Sequence, residues 1–373
     1  MIFSASDDWI GGTYYILNLI NALKILPAKK QPEITIFSKN QSDFLFAKET
    51  GYPFIKFRNP YITQRNFPER IIDKFFITFT GKYIIDKRVS AKDIDVVFPA
   101  NNEWVYERVK KKIFWFPDFQ HVVYPNFFSE QERKNRDFVL EEIANSNHSL
   151  LLSSFSAKLD WDALPFNKNC NVHIIPFAVT HPPIDDIDIT KTLFEFKING
   201  NYFIISNQFW IHKNHMVVLK AALILKLENI FVQFVFTGKE DDYRHSGYFE
   251  TIIDFISLNN LETHVKILGL IDRRKQLKLM QHANAVIQPS LFEGWSTVIE
   301  DAKLLGNKVI ASNIEVHKEQ LKDKGIFFDP SEETDLVDRI KECLKNNYVF
   351  KSNNYKSQLN SFATSFYEII KKK

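Results

Sequence analysis

A chain of 373 residues, 45% hydrophobic and 25% charged, is long enough for two domains and too apolar for a disordered or low-complexity protein. Its 48 basic and 45 acidic residues leave a net charge of +3 and a pI near 8.5, below the strongly basic range of nucleic-acid binders. Two cysteines, Cys170 and Cys343, form neither a disulfide framework nor a CxxC pair for zinc, and a reducing cytoplasmic interior is expected. The opening residues lack a secretory pattern and no segment reaches the ~18 apolar residues of a membrane span, so a soluble or peripheral protein is expected.

Short runs rich in Val, Ile and Phe alternate with helical periodicity along the whole chain. Strands are expected at 2–5, 34–38, 95–100, 112–117, 150–154 and 172–177, then at 202–206, 231–238, 265–269, 285–290, 309–312 and 326–329. Helices are expected at 14–26, where Ile16, Leu19, Ile20 and Leu23 share a face, and at 130–144, 216–227, 273–283, 298–305 and 353–373. Such alternation, with strands apolar on both faces, specifies an α/β protein with parallel sheets covered by helices. Two prolines, an acidic cluster and Asn199-Gly200 interrupt it. Residues 1–180 therefore read as one Rossmann-like domain, 181–200 as a linker and 201–352 as a second such domain, with the helix at 353–373 a candidate to pack back on the first.

Open parallel sheets bind ligands at the carboxyl ends of their strands, so chemistry is sought there. After the first strand, Asp7-Asp8-Trp9-Ile10-Gly11-Gly12 places two glycines ahead of a helix in a chain holding only 11, which reads as a close approach to a ligand or as a plain turn. Residues 56–92 carry nine bases against three acids, interleaved with apolar groups, and suit an anionic membrane surface or a solvated face. After the strand at 112–117 come Asp118 and His121, the histidine either at the cleft or structural. Asn207, Gln208 and Lys213 follow the strand at 202–206. Lys213 stands beside a helix start, where its cation offsets diphosphate charge. His212 and His215 read as loop histidines.

The run from Gln288 to Gly306 is the most specific. Glu293 stands at the lip of a turn, Gly294 permits close backbone approach, and the helix starting near Ser296 or Thr297 presents free N–H groups that suit a phosphate. Asp301 lies four residues after Thr297 on the same face, within reach of a diol. Glu300 fits a capping box with Thr297 and is the alternative to Asp301. The DxD triplets Asp93/Asp95, Asp160/Asp162 and Asp186/Asp188 are read as chance in an acid-rich chain, and no catalytic metal or cofactor is expected. No GxSxG elbow or Cys–His pair suggests a covalent nucleophile.

The run EGWSTVIEDAKLLG, with a glycine after Glu293 and a second acid eight positions later, resembles the acidic motif of retaining glycosyltransferases of family 4, glycosyl transferases group 1. The resemblance implies the GT-B fold, two Rossmann-like domains whose parallel sheets face a central cleft. It places Glu293 on the donor sugar, Asp301 (commonly Glu in the family) on the ribose, and the backbone of Gly294, Trp295, Ser296 and Thr297 at the diphosphate. Asn207, Gln208 and Lys213 then surround the leaving phosphate, Gly269 and Leu270 read the base, Gly11 and Gly12 lie near the donor, and His121 stands beside the reacting sugar. Gln208 occupies a position where the family usually has Arg, so Lys213 or another base carries more of the charge. The implied activity is metal-independent hexosyl transfer from a nucleotide sugar to a glycan or lipid-linked acceptor bound by the first domain. Cell-surface polysaccharide synthesis at the cytoplasmic face of a membrane is the implied setting. A nucleotide-sugar epimerase of the same fold and a non-catalytic nucleotide- or glycan-binding protein are the competing readings.

Overall fold

A computed structural model of the chain describes residues 1–5, 10–59, 68, 71–72, 93–100, 109, 111–345 and 355–372. In the first half, β1 (Ile34–Phe37) pairs in parallel with β2 (Ile55–Arg58). A second parallel sheet follows the order β3 (Val96–Val97), β4 (Lys111–Trp115), β5 (Ser149–Leu152), β6 (Asn171–Ile174). The expected strand at 2–5 is reduced to a seam between these sheets: Ile2 bridges Phe37 and donates its N–H to the Phe98 carbonyl at 2.8 Å. β2 was not expected, because Ile55-Lys56-Phe57-Arg58 alternates apolar and charged residues and merges with the basic stretch.

The second half holds β7 (Tyr202–Ser206), β8 (Gln233–Thr237), β9 (Val265–Ile267), β10 (Ala285–Gln288), β11 (Val309–Ser312) and β12 (Ile326–Phe328) in one parallel sheet ordered β12-β11-β10-β7-β8-β9. β7, β8, β10 and β11 are buried along their whole length, as an apolar strand covered by helices on both faces must be.

Helices α1 (Ile10–Lys24) and α2 (Gln41–Glu49) flank β1, α3 (Gln120–Val123) and α4 (Glu130–Asn145) follow β4, and α5 (Phe155–Ala163) follows β5. α6 (Ile189–Glu195) lies inside the segment read as a linker. Part of the acidic cluster there is its cap, since Asp188 Oδ1 accepts the N–H groups of Thr190 and Lys191. α7 (His215–Leu227), α8 (Tyr248–Leu258), α9 (Arg273–His282), α10 (Thr297–Leu305), α11 (Glu315–Leu321) and α12 (Glu333–Lys345) alternate with β7 to β12. α13 (Tyr355–Lys371) crosses back, and its Tyr355, Phe362, Phe366 and Ile369 join Tyr15, Leu19 and Ile20 of α1 in the core of the first half. Among the described residues no helix is long and apolar enough to cross a membrane.

Candidate functional site

From β7 the second sheet runs outward through β8 and β9, then crosses to β10 and runs the other way through β11 and β12. β7 and β10 are therefore neighbours whose following loops part, and an open α/β sheet forms its crevice at such a switch point. The loop after β7 carries Asn207, Gln208 and Lys213; the loop after β10 carries Glu293 and Gly294. A cavity of about 290 Å³ opens at this place, closed on its other side by Gly11, Tyr14, Tyr15, Asp118 and Gln120 of the first half.

Polar side chains lace the two loops together. Lys213 Nζ lies 2.6 Å from Glu293 Oε1, which also accepts hydrogen bonds from Gln288 Nε2 at 2.7 Å and Ser290 Oγ at 2.8 Å. Gln288 Oε1 in turn accepts from Asn207 Nδ2 at 2.9 Å, so Asn207 lines the cavity with its side chain already engaged. Burial opposes charge on Glu293, but the Lys213 ammonium, with His317 and the Ser290 hydroxyl, holds the carboxyl below its usual value. His317, fully buried, belongs to the same surroundings, and desolvation pushes its pKa down to about 4 despite Glu293.

A second charged cluster closes the far wall. Asp301 Oδ2 accepts from Arg273 Nη2 at 2.6 Å, and Oδ1 lies 2.9 Å from His181 Nε2. Burial opposes the Asp301 charge, and Arg273 with His181 overcomes it, lowering the pKa. Arg273 also lies 5.2 Å over the Tyr14 ring. The neighbouring Glu300 points into the interior, where Lys303, Gln320, Tyr355 and Gln358 all donate to its carboxylate. The expected capping box between Thr297 and Glu300 does not form. Ser296 is the N-cap, accepting the Ile299 N–H, while its own N–H is taken by Gln320 Oε1 at 3.1 Å. The free N–H groups that open α10 therefore begin at Thr297.

Gly11, Asn207, Gln208, Lys213, Gly269, Leu270, Glu293, Gly294, Trp295, Ser296, Thr297 and Asp301 all line the cavity. Gly12 lies buried within α1 and does not. His121 is turned away as well. Its side chain is 1% exposed, packs edge-on between Phe116 and Phe128, and has Nε2 3.3 Å from Asp137 Oδ1, while burial lowers its pKa. Gly294 owes its lack of a side chain to protein rather than ligand: a Cβ there would lie 1.9 Å from the Pro117 carbonyl oxygen of the first half. His212 and His215, read as loop histidines, lie in the 3-10 turn Ile211–Lys213 and at the first position of α7. Both are buried, and His215 stacks on Phe209 with its pKa pushed down to about 3 by desolvation.

Sequence reasoning missed Arg273, His181 and Arg244. The Arg244 guanidinium lies 4.8 Å from the Phe128 ring and 4.5 Å from the Trp210 ring, and Nη1 donates to Gln120 Oε1 at 3.2 Å, bridging the two halves. An arginine in a loop gives no sign of such a partner. Of the DxD pairs, Asp186 meets Arg274, Asp188 caps α6, Asp162 meets Lys158 and Asp93 meets Arg58. Among the described residues no three His, Cys, Asp or Glu side chains group closely enough to hold a metal ion. Asp7 to Trp9, and all of 56–92 except 56–59, 68 and 71–72, lie outside the described residues.

Residues 188–361 match the family model described as Glycosyl transferases group 1. No curated protein matches the chain in sequence. HepE of Anabaena in complex with UDP-glucose is similar at a TM-score of 0.67 and 15% identity, over 99% of this chain and 95% of that one. Sucrose-phosphate synthase of Thermosynechococcus elongatus gives 0.62 and 15%, over 99% and 90%. TarM of S. aureus, solved with Fondaparinux, alpha-GlcNAc-glycerol and UDP, gives 0.54 and 15% over 70% of this chain and 51% of TarM, so the chain spans about half of that protein's length. At these identities the likeness establishes the fold, and the chain has the GT-B fold that its acidic motif implied.

Proposed function

We propose that the protein is a glycosyltransferase that moves a sugar from a nucleotide diphosphate to a hydroxyl acceptor. The observation that carries this reading is the meeting of Lys213 and Glu293 at the switch point, beside the open end of α10. A diphosphate bound there receives the N–H groups from Thr297 onward and the positive end of the helix dipole, while Lys213 divides its ammonium between Glu293 and the phosphate. Charge grows on the diphosphate as the bond to the sugar breaks, so these groups favour the transition state over the bound donor. Glu293 orients the sugar, and Asp301, already fixed by Arg273, accepts the ribose diol. Gln208 is neutral, which leaves Arg273 beside Lys213 as a cation on the cavity wall.

The finer features follow from the family 4 resemblance: retention at the anomeric carbon, a hexosyl donor, no metal, and a departing phosphate that takes the acceptor's proton. A glycan or lipid-linked acceptor in cell-surface polysaccharide synthesis, and approach to the cytoplasmic face of a membrane through residues 56–92, belong to the same proposal. HepE and TarM were solved with UDP-glucose and UDP, so uridine donors come first in the test. A thermal-shift screen across UDP-, GDP-, ADP- and dTDP-sugars is expected to show stabilisation by one nucleotide class. NMR of the stabilising donor is then expected to show sugar passed to an alcohol. A new epimer from donor alone identifies an epimerase, and binding without any sugar release leaves a binding protein.

A further inference from the structure

We propose that Asp118 and the Tyr15 hydroxyl form a polyol subsite on the first-half wall of the cavity, where they grip hydroxyls of the acceptor. The inference rests on the transferase reading above. β4 and β5 are paired with Trp115 opposite Leu151, so the chain beyond them brings Pro117 beside Ser153 and Asp118 to the cavity. Asp118 also faces the donor loop, because a Cβ on Gly294 would lie 3.1 Å from Asp118 Cβ. Its two carboxylate oxygens are not equivalent. Oδ1 accepts the Gln120 N–H at 3.0 Å and lies 3.8 Å from Arg136 Nη1. Among the described residues no donor reaches Oδ2.

Tyr15 supplies the complementary group. Its ring is 1% exposed and stacks on Trp115 with centroids 3.9 Å apart, and its buried hydroxyl has no hydrogen-bond partner among the described residues. A buried hydroxyl without a partner is costly, and a polar group left so beside a cavity points to a ligand. Both residues line the cavity, where Oδ2 accepts a hydrogen bond and the Tyr15 O–H donates one, a pair that suits the hydroxyls of a sugar or polyol. The attacking hydroxyl is then held toward the sugar: its oxygen bonds to the anomeric carbon, the carbon–oxygen bond to the diphosphate breaks with its electron pair, and the proton passes to the departing phosphate oxygen.

Asp118→Asn is the discriminating variant. Oδ1 is committed to the Gln120 N–H, so the amide carbonyl takes that bond and the amide NH₂ occupies the place of Oδ2, leaving the turn intact and reversing the polarity of the free atom. The nucleotide sugar selected by thermal shift is turned over with excess glycerol, or with methanol, which has no second hydroxyl, and the ratio of glycoside to free sugar is read by NMR. The native protein is expected to favour glycerol over methanol. Asp118→Asn is expected to lower the glycerol ratio about tenfold or more, with nucleotide affinity retained. Tyr15→Phe is expected to lower the same ratio without lowering the melting temperature, a combination that a packing role alone does not produce. An unchanged ratio in both variants, loss of donor binding in Asp118→Asn, or no glycerol preference in the native protein overturns the subsite. No sugar release from a donor that binds overturns the transferase reading itself.

Discussion

Glu293 keeps its charge in a site largely closed to water because Lys213 Nζ stands 2.6 Å away. Lys213→Ala is expected to cut turnover about 100-fold or more while leaving an unpaired carboxylate behind. Adding Glu293→Gln to it should then cost less than the two single losses combined, and additive losses in a double-mutant cycle would separate the two residues. The buried histidines make a second prediction. Desolvation lowers the folded pKa of His317 to about 4, so the unfolded chain takes up that proton first as pH falls below about 6.5. The neutral-histidine contribution is complete above that value and is lost progressively down to the folded pKa, at about 1.4 kcal/mol per pH unit. Urea midpoints measured from pH 7 to pH 4.5 should fall, and His317→Gln should flatten the slope by that amount.

At the scale of elements, α10 divides two adjacent carboxylates between different tasks. Successive helical residues project in different directions, so Asp301 faces the cavity while Glu300 anchors α13 through Tyr355 and Gln358. Glu300→Ala removes the acceptor shared by Lys303, Gln320, Tyr355 and Gln358 and should cost about 3 kcal/mol or more in urea unfolding, with nucleotide affinity largely retained in the folded fraction. Asp301→Ala should instead weaken nucleotide binding; a reversal of these phenotypes would exchange the two roles. This division also marks what the sequence made legible. Strand ends, the helix opening near Ser296 and the acid spacing are local signals, and they located the part of the cavity wall that carries Lys213, Glu293 and Asp301. Whether His121 faces the cavity, as Asp118 does, was not a local signal. Both follow β4, but α3 begins at Gln120 and turns His121 back among Phe116 and Phe128, which only the folded aromatic packing reveals. β2 escaped for a similar reason, since its charged alternation marks an edge only once β1 lies beside it.

Across the whole molecule, the two halves meet through contacts that surround the cavity and belong to neither sheet alone. Trp295 Nε1 donates to the Phe177 carbonyl at 3.1 Å, Arg244 fills the space between Phe128 and Trp210, and Glu319 of α11 accepts the N–H groups of Phe155 and Ser156 at the start of α5. Gly294 also approaches Pro117 closely, where a Cβ would overlap backbone rather than a movable side chain. Gly294→Ala therefore has no local remedy and must be absorbed by moving one half away from the other. The loop still presents Glu293 to Lys213, and α10 still opens at Thr297, so nucleotide binding should survive. The acceptor wall, carried by Asp118 and Tyr15, retreats with the first half. The expected outcome is an increased radius of gyration by small-angle X-ray scattering, unchanged far-ultraviolet circular dichroism, retained nucleotide affinity and a large loss of transfer. Native transfer with an unchanged radius would show that the Gly294–Pro117 contact does not set the distance between the halves, and that the cavity keeps its two walls together by other means.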